Sequence, residues 1–108
     1  MKLKTYFLYQ NIFLLILFLA IILNTLPVLN NDCRMPVLTQ YAIDDTTHFS
    51  FENNHEVNYP YFSDIFRINN VYFSIGDLFF LIGGLGFITI MLYLTKKVRY
   101  LKHGGVWE

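Results

Sequence analysis

One cysteine in 108 residues leaves Cys33 without a partner in its own chain, so no internal disulfide frames this protein. The sequence has no Asn-x-Ser/Thr acceptor, no glycine-rich phosphate loop and no nucleophile motif. His48 and His55, with Asp44, Asp45, Glu52 and Glu56 nearby, match no closed metal-site spacing, and they read as solvated side chains of an acidic segment. No metal or cofactor is therefore expected. Charge is also scarce, at 15% of residues, against 55% hydrophobic and 19% aromatic. A small soluble chain rarely carries that balance in two long blocks.

Those blocks are what the chain does have. Ile12 to Leu23 is unbroken, and all but Ala20 are Leu, Ile or Phe. On insertion scales such residues contribute roughly −0.3 to −0.6 kcal/mol each, which makes the run favourable in lipid by roughly 3 to 7 kcal/mol. Tyr6 to Tyr9 and Leu26 to Leu29 extend it to the ~20 residues a bilayer core demands. Gln10, Asn11 and Asn24 fall near its ends. The second block is apolar from Leu78 to Leu94, diluted by Gly83, Gly84, Gly86 and Thr89. Val71 to Ile75 are expected to complete its outer part, and Lys96 and Lys97 to end it. Backbone polar groups in hydrocarbon must be satisfied within their own segment, so both blocks are predicted helices despite their Ile, Phe and Tyr content.

The predicted fold class is thus all-α membrane, with two transmembrane helices at 6–29 and 71–95 joined by an irregular extracytoplasmic loop at 30–70. Segments 1–5 and 96–108 form the cytoplasmic ends. Orientation follows from charge. Lys2 and Lys4 precede the first span, and Lys96, Lys97, Arg99 and Lys102 follow the second. The connecting segment holds only Arg34 and Arg67 against six acids. By the positive-inside bias, both termini are cytoplasmic and the acidic loop is external. The basic tail fits anionic inner-leaflet lipid better than nucleic acid.

A cleaved signal peptide is the competing reading of the first span, since Lys2 and Lys4 make a basic start. Asn24 to Leu29 contain no small-x-small cleavage pattern, which favours an uncleaved helix. Asn30, Asn31 and Asp32 make a poor lipobox before Cys33; a bond from Cys33 to a second chain is the remaining option in an oxidising exterior.

Pro36 and Pro60 punctuate the outer segment, and Asp44, Asp45, Thr46 and Thr47 read as a turn. Thr47 to Glu52 alternates as one short strand would, with Phe49 and Phe51 on one face and His48 and Ser50 on the other. Tyr59, Tyr61, Phe62, Phe66, Tyr72 and Phe73 suit a headgroup-level aromatic belt. Ser74 followed three residues later by Asp77 is a capping box for the second helix. Gly76, Gly83 and Gly86 share one side of that helix, with Gly84 beside them, and small residues let a neighbouring backbone approach in lipid.

Three short motifs occur in order: Asn31-Asp32-Cys33-Arg34-Met35-Pro36-Val37, then Phe62-Ser63-Asp64-Ile65, then Phe73-Ser74-Ile75-Gly76-Asp77. Over roughly residues 20 to 95 the chain resembles a family of bacterial multi-pass membrane proteins defined by a domain of unknown function. Its shared positions here are Arg34, Met35, Pro36, Asp64, Ser74, Gly76 and Asp77. Asp32 and Cys33 stand where the family has two glycines, and Ser63 stands where it has one. The resemblance implies location and architecture, since the family has no assigned activity. The entry Phe73 to Asp77, with Gly83, is also similar to the last-helix entry of lipoprotein signal peptidases. That likeness implies a catalytic role for Asp77 with Asp64 as its partner carboxylate. Two neighbouring carboxylates split their pKa values and serve as acid and base.

The expectation is a small bacterial cytoplasmic-membrane protein without enzymatic activity, an accessory or interaction subunit whose partners are the bilayer and another membrane protein or itself. A membrane aspartyl hydrolase and a holin-like pore former are the alternatives. The pore is disfavoured because neither span carries a continuous polar stripe.

Overall fold

A computed structural model describes residues 2–105. Residue 1 and residues 106–108, at the edges of the predicted terminal segments, lie outside the described residues. Two long helices, α1 (Leu3–Leu29) and α2 (Ile75–Lys102), pack against each other along an elongated body of 61 × 25 × 20 Å. At ~1.5 Å per residue each is about 40 Å long, enough with its apolar composition to cross a bilayer.

The helices form an antiparallel pair because α2 is thin where α1 is thick. Gly76 lies against Asn24 and the Ala20 carbonyl, Gly83 against Leu17 and Ile16, and Gly86 against the Phe13 ring. A Cβ at Gly83 would stand 2.9 Å from Leu17 Cγ, closer than real side chains approach. Gly84 faces open space, with no atom within 4 Å of a Cβ there, so it does not belong to this seam. The 100° step between neighbouring helical residues turns it away from Gly83. Tyr6 stacks on Tyr93 further along, with ring centroids 5.7 Å apart.

The connecting segment is more ordered than the irregular loop with one short strand that the sequence suggests. It contains β1 (Met35–Leu38), β2 (His48–Phe51), β3 (Phe66–Ile68) and β4 (Val71–Phe73), and single 3-10 turns at Asn54–Glu56 and Pro60–Phe62. β1 and β2 pair in parallel, and β3 and β4 form an antiparallel hairpin. Val71 to Phe73, expected to extend the second apolar helix, are therefore a strand, and α2 starts at Ile75. A hairpin lets the backbone of these residues pair across the turn at Asn69, which has φ of 54°. The small core of this cap is Met35, Pro36, Val37 and Phe51.

Asparagines fasten the cap to the helix end. Asn31 Nδ2 donates to the Pro27 and Asn58 carbonyls at 2.6 and 2.8 Å, and its Oδ1 accepts from Asn58 N at 3.0 Å. Asp32 and Cys33 then turn the chain with φ of 57° and 59°. This is the left-handed region where glycine is preferred, and Asp32 and Cys33 hold it here without glycine.

Candidate functional site

The three motifs converge at the outer ends of α1 and α2. Arg34 pairs with Asp44 and lies over the Phe49 ring, 4.9 Å from its centroid, which sets the turn leading into β2. Met35, Pro36 and Val37 form β1, whose second neighbour is residue 64. Asp64 N donates to the Pro36 carbonyl at 3.0 Å, and the Asp64 carbonyl accepts from Leu38 N at 3.0 Å. Ser63, fully buried, donates from Oγ to the Tyr59 carbonyl at 3.1 Å. The backbone of Asp64 is thus fixed on both sides.

At the start of α2, Ser74 and Asp77 form a reciprocal cap. Asp77 N donates to Ser74 Oγ at 3.2 Å, and Ser74 N donates to Asp77 Oδ2 at 2.9 Å. The remaining carboxylate oxygen, Oδ1, accepts from Asn24 Nδ2 at 3.2 Å. Ser74 Oγ in turn donates to Asn24 Oδ1 at 2.7 Å. Asn24 lies one turn from Ala20 on the α1 face that meets α2, so its amide reads both capping residues at once. Gly76 leaves the room for it. The sequence shows Asn24 as a polar residue near the end of an apolar run, but not what it reaches.

Asp64 has the opposite surroundings. Its side chain is 8% exposed, yet it accepts no hydrogen bond among the described residues; His48 Nε2 faces its Oδ2 at 3.6 Å. Burial pushes its carboxyl up to about 6, the charge of Asp77 adds to the rise, and His48 opposes it. The charge of Asp77 thus reaches Asp64 across the junction.

His48 is held by a relay that sequence reading missed. Asp45 accepts from the backbone N–H groups of Thr47 and His48, at 2.9 and 2.8 Å, and from the Thr47 hydroxyl at 3.1 Å. These donors hold the exposed Asp45 carboxyl below its ordinary range. Thr47 Oγ1 also lies 2.8 Å from His48 Nδ1, within hydrogen-bond length. This holds the imidazole with Nε2 facing Asp64. Among the described residues no group of three His, Cys, Asp or Glu side chains is placed to hold a metal, so His48 and His55 with the nearby acids form no such site. Cys33 is exposed.

No protein-family model, characterised protein or solved structure matches the chain.

Proposed function

We propose that the chain is a two-span hairpin of a bacterial cytoplasmic membrane, with cytoplasmic termini and an extracytoplasmic cap, acting as a non-enzymatic accessory or interaction subunit. The observation that carries this reading is the outward apolar surface of both helices. Leu15, Phe18, Leu85 and Leu92 are 59%, 60%, 59% and 67% exposed on a hairpin that uses only its inner seam. An apolar surface of that extent in water marks a membrane or a protein partner. Charge sets the orientation, as the basic residues flank the pair and the acids gather in the cap. The three motifs meet at one end of the hairpin, where Ser74 and Asp77 cap α2 and the backbone of Asp64 pairs with β1.

A phosphatase reporter inserted near Asn54 is expected to be active, and one fused after residue 108 inactive; the reverse pattern overturns the orientation. Recovery of the intact chain in the soluble fraction overturns the membrane reading itself. Purification in mild detergent is expected to recover a second membrane protein or a second copy.

One observation favours the hydrolase alternative. Asp64 is buried, and burial together with the charge of Asp77 pushes its carboxyl up to about 6, toward the range an acid–base carboxylate uses. Against it, both oxygens of Asp77 are engaged in the cap. Asp77→Asn and Asp64→Asn variants that reach normal membrane levels decide the matter. Loss of a cellular phenotype in both revives the hydrolase, whereas its retention in Asp77→Asn supports the cap.

A further inference from the structure

A cavity of about 360 Å³ opens in the cap between β1, β2 and the β3–β4 hairpin. Its polar lining is Asp45, His48, Asp64 and Asn70, and its apolar lining includes Val37, Ile43, Val71 and the Tyr72 ring. The Asp64 carboxylate is more than nine-tenths buried and accepts no hydrogen bond among the described residues, while its backbone is pinned to β1 on both sides. His48 shares a hydrogen bond with Thr47 through Nδ1, and its Nε2 stands 3.6 Å from Asp64 Oδ2, beyond hydrogen-bond length. A largely buried carboxylate gains from a charged donor that reaches it.

We infer that this cavity binds a primary ammonium group on an apolar stem, with the Asp64 carboxylate as its acceptor and His48 Nε2 beside it. An ammonium brings three donors and a positive charge to a carboxylate that has no hydrogen bond of its own among the described residues. The stem lies along Val37, Val71 and Tyr72. The charged groups around the site agree with this. Asp45 and His48 face it from the turn and β2, and the charge of Asp77 reaches Asp64 from α2. The one cation on the hairpin, Arg67, lies over the Tyr72 ring with its centre 5.7 Å from the centroid and donates from Nε to the Asn69 carbonyl. It lines no part of the cavity. A small alkylamine and a lysine side chain carry the same chemistry. The inference uses the cavity alone, so it stands or falls separately from the membrane orientation proposed above.

The test is a titration of the full chain in detergent with n-butylamine and, separately, with a capped lysine amide, followed by the carboxyl and imidazole NMR signals of Asp64 and His48. Binding is expected to be about tenfold tighter near pH 7.5 than near pH 5, because it needs Asp64 ionised. Asp64→Asn is expected to weaken it about tenfold or more, and His48→Ala severalfold. The tighter of the two probes identifies the natural source. Tetramethylammonium, which has the charge but no N–H, is expected to bind far more weakly. Equal affinity for it, equal affinity at the two pH values, or no binding of either amine overturns the site. The pH comparison uses the native chain, so it decides even if a variant does not fold.

Discussion

Asp64 and Asp77 sit at one end of the molecule, where the charge of Asp77 bears on Asp64, but the chain treats them in opposite ways. Asp77 lies at the start of α2 with both oxygens supplied, by Ser74 N and by Asn24 Nδ2. Asp64 is more buried than most of the cap and receives no hydrogen bond among the described residues. The difference teaches which carboxylate is structural. A carboxylate given donors by its own fold holds helices together, and one denied them is left available to something else.

The largest expected effect comes from the seam on which this junction rests. Replacing Gly83 and Gly86 together with Leu places bulk against Leu17, Ile16 and Phe13, and is expected to abolish most disulfide crosslinking between engineered cysteine pairs on α1 and α2 while leaving both helices inserted. Gly84→Leu, on the open side, serves as the control that changes little. Unchanged crosslinks in the double variant would remove the packing argument.

Next is the supplied carboxylate. Asp77→Ala strips the cap and leaves Ser74 N and the Asn24 amide without an acceptor, a loss of about 2–3 kcal/mol in thermal unfolding in detergent. Asp77→Asn keeps an acceptor and is expected to cost about 1 kcal/mol or less. Equal costs for the two would mean that the charge, and not the acceptor, matters at this position.

The unsupplied carboxylate is expected to behave with the opposite sign. Its folded pKa of about 6 lies above the ordinary 3.8, so the folded state holds the proton more tightly than the unfolded one. The stabilisation from that proton is fully present below about pH 4 and is lost as pH rises through about 6. Asp64→Asn removes this dependence, and is expected to stabilise the cap at pH 8 by on the order of 1–2 kcal/mol and to change little at pH 4. A destabilised variant at both pH values would place Asp64 in the same class as Asp77.

Much of this contrast could not be read from the sequence. The helices announce themselves through long apolar runs, and the cap through the local spacing of Ser74 and Asp77, because both signals are contained within a few turns. The short strand around His48–Phe51 shows through its alternation. β1 does not, since Met35–Leu38 is four residues long and carries Pro36. Its partners lie at residues 48 to 51 and 64, and only tertiary pairing brings them together. Val71 to Phe73 are apolar enough to read as the start of a span, and only pairing with Phe66–Ile68 makes them a strand. Asn24 reaches residues 50 and more positions away, a relation with no local signature. The lack of donors around Asp64 is likewise a property of the assembled cap.

A smaller effect is expected at the turn between α1 and β1. Asp32 and Cys33 hold left-handed conformations at a cost of roughly 1 kcal/mol each, so replacing both with glycine is expected to be neutral or to stabilise by up to about 1 kcal/mol after the added chain entropy. Marked destabilisation would show that their side chains carry the turn.

The measurement that bears most directly on the contrast is the carboxyl NMR titration of Asp64 in the native chain without added ligand. The expected midpoint is about 6, moving downward when an alkylamine is added. A midpoint in the ordinary range near 3.8, unmoved by the amine, would show that Asp64 is as well served as Asp77 and would contradict the account.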